Sequence, residues 1–290
     1  MSSGRIAIAI ARFTARFPRW KPAKSIALCL AVLFIFTIPI SGLELAITQT
    51  SPQEDPSPAR PHARSEQERT DFNTAYALQG AATEEAAAMD FANRYPASEL
   101  RRYLYSSAML QYQRENNPAK MLAMGERVLA LDPDNPLALV LTATALADSL
   151  GDHDRDRDKK VSTIKHNASR AIQAAEAGYS GETVYKTTLQ SMAYSALGIM
   201  RLKTSDDAGA EKDLKMATEL AKFRPDGHTW YHLALAQDHR KKYAAALGSV
   251  EQALQLASSD PELQKLAEVE HERLSGLARG PRNASSMEPQ

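Results

Sequence analysis

Between Gly181 and Pro261 the chain repeats itself at an offset of 36 residues, and that periodicity excludes most folds. Tyr194 returns as Trp230, Leu197 as Leu233, Gly198 as Ala234, Ala210 as Ala246, Leu214 as Val250, Ala217 as Ala253, Leu220 as Leu256 and Pro225 as Pro261. The order is an aromatic, an apolar residue three later with a small one beside it, two alanines seven apart, then a proline. It describes two short antiparallel helices followed by a break. Small residues let the two helices approach closely, and the aromatic and leucine positions fill the space between them. A unit of this length buries its apolar face only against a neighbour like itself, so the expectation is an all-α chain, an α-solenoid of stacked helix-turn-helix repeats.

The layout resembles the tetratricopeptide repeat (TPR). That family places an aromatic, Leu and Gly/Ala in its first helix, Ala, a large apolar residue and a second Ala in its second, then Pro. The matching residues are Tyr194, Leu197, Gly198, Ala210, Leu214, Ala217 and Pro225, and again Trp230, Leu233, Ala234, Ala246, Val250, Ala253 and Pro261. Two departures stand out. Arg201 and Gln237 occupy the place of the usual late tyrosine of the first helix, and the proline comes three residues later than in the family pattern.

The same design extends in both directions and defines a repeat domain over residues 69–278. Phe72, Tyr76, Ala77 and Leu78 begin an apolar face, and Glu84 to Tyr95 is an alanine-rich helix ended by Pro96. Pro96 and Pro133 share an offset of 37 residues, as do Phe91 and Val128. Asn116-Asn117-Pro118 breaks the next hairpin at its turn. A third unit begins at Pro136 and is interrupted by the charged stretch Gly151 to Lys160, with the second helix expected to resume near Val161. Four alternating aspartates there lack the glycine and glutamate of a calcium loop, and Arg155 and Arg157 cancel their field, so a solvated loop is expected. After Pro261, Leu263, Leu266, Val269 and Leu274 give a capping helix. The expected total is ten to eleven helices, and residues 279–290 read as a disordered tail.

Ahead of the repeats lie three other segments. Residues 1–24 carry Arg5, Arg12, Arg16, Arg19, Lys21 and Lys24 and no acid. Ser25 to Leu43 holds 19 residues without a charge, which as a helix span roughly 28 Å against a bilayer core of about 30 Å. Residues 25–45 are therefore expected to be one N-terminal transmembrane helix. The positive-inside rule leaves the N-terminus cytoplasmic and the repeats on the periplasmic or other extracytoplasmic side. A cleaved signal peptide, leaving the same domain soluble outside the cytoplasm, is the competing reading. Residues 46–68 carry Pro52, Pro56, Pro58 and Pro61 among polar side chains and read as an extended linker.

Composition narrows the function. The formal net charge of the 290 residues is zero, which argues against a nucleic-acid partner. The single cysteine, Cys29, falls in the apolar segment. No glycine-rich phosphate loop follows a strand, no strand-rich half exists and no cysteine outside the apolar segment could act as nucleophile, so a non-enzymatic scaffold or adaptor without cofactor, binding a protein or peptide, is expected. The resemblance places the partner in the inner groove. Its matching positions are His228, Tyr231, Leu235, Asp238 and His239, and one unit earlier Met192, Ser195, Ile199, Leu202 and Lys203. These lack the Lys, Asn and Arg set that clamps a peptide carboxylate in cochaperone members. The alternative from another class is a hydrolase or metal-binding protein using His228, His232 and His239, since His-x3-His is ligand spacing.

Overall fold

A computed structural model describes residues 62–177 and 183–278. The basic lead, the apolar segment 25–45, most of the linker and the tail lie outside the described residues. Within them the chain forms eleven α-helices: α1 (Glu66–Tyr76), α2 (Ala81–Arg94), α3 (Arg101–Arg114), α4 (Pro118–Leu131), α5 (Pro136–Ser149), α6 (Arg157–Glu176), α7 (Thr183–Lys203), α8 (Asp207–Leu220), α9 (Gly227–His239), α10 (Tyr243–Leu256) and α11 (Pro261–Ala278). One 3-10 turn, Ala221–Phe223, follows α8. No strand occurs among the described residues, and no helix there is long and apolar enough to cross a membrane.

Consecutive helices pack as five hairpins, α1/α2 to α9/α10, and α11 closes the row. The first helices of successive hairpins also touch one another, α5 with α7, α7 with α9 and α9 with α11. They form the inner layer of the stack, with the second helices outside. This is the expected solenoid.

Three of the five hairpins, α3/α4, α7/α8 and α9/α10, share one turn. Asn116, Ser205 and Lys241 adopt φ of 55°, 61° and 59°, the left-handed geometry that ends a helix. In each the next residue's N–H closes on the earlier helix: Asn117 to Tyr112 O at 2.8 Å, Asp206 to Arg201 O at 2.9 Å, Lys242 to Gln237 O at 2.9 Å. Asn117 and Asp206 then cap the following helix through their side chains. Lys242 cannot accept such a bond. It reaches back instead, its Nζ 2.8 Å from Glu211.

The repeat positions are the core. Ala210, Leu214, Ala217, Ala234, Ala246, Val250 and Ala253 are fully buried, as are Phe91 and Val128. The two residues that replace the family's tyrosine cross-link their hairpins. Arg201 pairs with Asp213 of α8 at 2.7 Å, and one unit on, Ser249 of α10 donates to Gln237 at 2.7 Å.

Two boundaries and the burial of one helix differ from expectation. Helix α1 starts at Glu66, capped by Ser65, inside the stretch assigned to the linker. Helix α6 starts at Arg157, four residues before Val161, because the alternating charges pair locally. Lys160 bonds Asp154 at 2.8 Å and lies 3.5 Å from Asp156, which turns the end of the expected loop into a first helical turn. In α11, Leu263 and Leu274 are buried as expected, but Leu266 and Val269 are 42% and 64% exposed. Ala267 and Glu270 take the inward positions instead, as among the described residues no further helix packs against the opposite side of α11.

Candidate functional site: the inner face of α5, α7, α9 and α11

Helix α7 is 21 residues long and α6 is 20, against 14 for α5 and α8. The extra length of α7 lies at its start, ahead of the repeat pattern, and raises a wall over the groove. Behind it opens a cavity of about 80 Å³. Leu137 and Thr144 of α5 form one side, Tyr185, Thr188, Leu189, Met192 and Ser195 of α7 the second, and Leu220 to Arg224 with Asp226 and Thr229 the third. Phe223, 70% exposed, stands at the edge.

The ten groove positions divide. Met192 and Ser195 line the cavity. Ile199 is buried and Leu202 half-buried against the core. Lys203 donates to the carbonyls of Ala147 and Asp148 at 2.9 and 2.6 Å, across the end of α5. His228 Nε2 lies 3.0 Å from Asp260, the residue that caps α11 through Leu263 N. Asp238 pairs with Arg273 of α11 at 2.5 Å, and the exposed His239 meets Asp207 at 2.9 Å. Tyr231 is half-buried with its ring edge-on to His232, and burial raises its phenol. Leu235 is partly exposed beside it. With Ser195 bonded to Thr229 of α9, five of the ten tie one helix of the array to another.

His228 and His239 are bonded to different carboxylates, and among the described residues no three His, Cys, Asp or Glu side chains are placed to hold a metal ion. Burial pushes His232 down to about 4, with the neighbouring His228 adding to the effect. It is neutral at physiological pH, with Nδ1 buried and unbonded. The opposite shift belongs to Asp148 at the end of α5. Burial pushes its carboxyl up to about 6 although Lys203 and His228 pull it down, and Lys203 is itself lowered by burial.

The cavity was not foreseen from the sequence. Its wall residues Tyr185, Leu189 and Met192 fall at spacings of four and three on one helical face, a signal that lies just ahead of the repeat and is masked by the threonines between them.

Stacked helical hairpins, inner first helices and small residues at the crossings define a TPR-like α-solenoid. No family model matches the chain, and no curated protein does. Among solved structures the chain is similar to the thermophilic TPR protein TTC0263 of Thermus thermophilus, at 15% identity and a TM-score of 0.43, over 70% of this chain and 98% of that one. It is also similar to MamA from Desulfovibrio magneticus RS-1, at 17% identity and a TM-score of 0.35, over 63% of this chain and 97% of that one. A third is the APC/C hetero-tetramer Cut9–Hcn1, at 18% identity and a TM-score of 0.33, over 71% and 43% of the two chains. The fold assignment rests on the hairpin geometry itself.

Proposed function

We propose that this protein is a non-enzymatic adaptor that holds a segment of a protein partner along the inner face of α5, α7, α9 and α11, with the repeat domain held on the periplasmic side of a membrane by residues 25–45. The observation that carries the reading is the cavity beside Met192 and Ser195, an opening on a face where several other side chains are taken up by repeat-to-repeat contacts. Interfaces draw most of their affinity from a few residues seated in such pockets. Leu235 of α9 is partly exposed and Val269 of α11 is exposed, so both helices after α7 offer apolar surface to the segment. A photo-crosslinking residue placed at Met192 or Leu235 of the membrane-bound protein should capture one partner, which the same residue at Lys212 on α8 does not. Equal capture from both faces, or undiminished capture from Leu235 in a Met192→Trp background, would sink the proposal.

A further inference from the structure

Helix α11 stands where the first helix of another hairpin would. Leu266 and Val269 follow Trp230 and Leu233 by 36 residues, as those follow Tyr194 and Leu197. In α9 the first of these positions meets the hairpin's second helix, since Trp230 packs against the cluster that holds Ala246, Val250 and Ala253 of α10. On α11 Leu266 and Val269 are exposed, and among the described residues no second helix packs there. The small residue of the pattern, Gly198 and then Ala234, is replaced by Glu270. The face is therefore not shaped for one more second helix of the array's own kind, which needs a small residue at the crossing.

The order of its residues shows what it does fit. Glu262, Leu266, Val269, Arg273 and Gly276 are all exposed and follow one another at alternating spacings of four and three, the seam of a helix that pairs lengthwise with another. A Cβ added to Gly276 would meet nothing within 4 Å. Read backwards, the seam complements itself. When two copies of α11 run antiparallel about a twofold axis between Ala267 and Glu268, Leu266 of each faces Val269 of the other, and Glu262 of each faces Arg273 of the other. An axis at Val269 would instead set Leu266 against Glu272. Arg273 is held ready for an acid: its Nε and Nη2 are bonded to Glu270, and Nη2 also to Asp238, which orders the side chain and leaves Nη1 for a carboxylate across the seam. Such reciprocity is what an isologous contact requires.

We propose that this face of α11 binds a second copy of the chain, antiparallel, with the Leu266–Val269 and Glu262–Arg273 contacts each made twice. One helix pair with two apolar layers is smaller than a standard interface of about 800 Å² per partner. The pair therefore forms where the chains are crowded and parts in dilute solution. The proposal rests on the membrane tether above only for that crowding. Pairing covers Val269 and leaves the cavity and Leu235 of each copy open, so two grooves act on one partner and parting the copies weakens its capture.

Two differently tagged full-length chains, each with Cys29→Ser, test this when co-expressed and oxidised both in membranes and, after purification, at about 1 mM, the local concentration that linkage provides. The second arm reads the face even if the tether fails. Leu266→Cys in one chain and Val269→Cys in the other should form a mixed disulfide at least tenfold faster than Leu266→Cys with Leu277→Cys, an exposed pair that the axis keeps roughly 12 Å apart along the helices. Glu262→Lys in both chains should slow the first reaction at least threefold. Every substituted position on α11 is exposed, so the fold is not at stake. Absence of the mixed disulfide in both arms, equal rates for the two pairs, or a rate indifferent to Glu262→Lys overturns the pairing. A Leu266→Cys product with the mass of a different protein in place of the copy overturns it too and assigns the face to that protein.

Discussion

A Cβ added to Gly198 of α7 would lie 2.9 Å from Leu214 Cδ2 of α8 and closer still to its Cγ. One unit later the same two places hold Ala234 and Val250, both fully buried. The larger residue faces glycine and the smaller faces alanine, so the two pairs hold the same number of side-chain carbons, distributed differently between the facing helices. Gly198→Ala should therefore destabilise the domain by about 1–2 kcal/mol, overpacking outweighing the gain of about 1 kcal/mol in helix propensity. Leu214→Val in the same chain should recover most of the loss, a coupling measurable by a double-mutant cycle in urea. Additive losses would mean that the two side chains do not meet.

Glu211 is the most heavily paired carboxylate in the array, with 3% of its side chain exposed and Lys215, Arg240 and Lys242 around it. Burial pushes its carboxyl up, but the bonds from Lys215 and Lys242 outweigh that and hold it down at about 2. A folded value below the unfolded 4.5 means stability that is present above that value and lost as pH falls through the folded one. Glu211→Gln should melt below wild type at neutral pH, and the gap should close across that acid window. A gap independent of pH would assign the effect to packing.

Asp148 carries the opposite sign. Its folded value of about 6 against 3.8 unfolded makes the native state bind the proton more tightly, so stability falls as pH rises from about 4 to 6. Asp148→Asn should raise stability at about pH 7 by about 1–3 kcal/mol and leave it unchanged at about pH 4. Partner affinity should change near pH 6 through this residue, whose charged neighbours are Lys203, His228 and Asp226, and not through His232, which burial keeps neutral. Thermal melts and binding isotherms on either side of that value check both statements.

On α11 the two apolar rows should separate cleanly. Leu263→Ala removes a buried side chain and should cost about 2–5 kcal/mol. Val269→Ser, on the exposed edge, should cost under about 0.5 kcal/mol yet weaken capture of the partner. If Val269→Ser destabilises as much as Leu263→Ala, α11 is covered on both sides.

For the tether, a reporter enzyme fused after residue 68 should be active only outside the cytoplasm, and alkaline washing should leave the protein in the membrane fraction. A mature N-terminus between Gly42 and Ile47 would instead establish cleavage.

The hairpin core could be read from the chain because Ala210, Leu214 and Ala217 recur 36 residues later, and burial follows that register. The groove could be read only in outline. The family resemblance puts Lys203, His228 and Asp238 on the inner groove, but whether a side chain meets a ligand or the neighbouring helix depends on the stacking angle, which one repeat does not encode. Leu266 and Val269 look like core to a periodicity argument, since an apolar residue at helical spacing carries no mark of whether another helix follows. The first turns of α7 carry little apolar signal for a related reason: Thr187 and Thr188 satisfy their hydroxyls on their own helix, and such residues interrupt an apolar pattern without interrupting the helix.

Lys203 reaches from α7 to the carbonyls that end α5, while Arg157 of α6 donates to Gly151 O and, at 2.5 Å, to Lys203 O. Three helices are thus laced through their ends. In a stack where each repeat touches only its neighbours, a pull on the N-terminal end unzips one hairpin at a time. The lacing is where unzipping meets a brake, since α5, α6 and α7 must release together. Stretched from that end, the chain should give up α1 to α4 first and stall with the later half of the array still folded around its cavity.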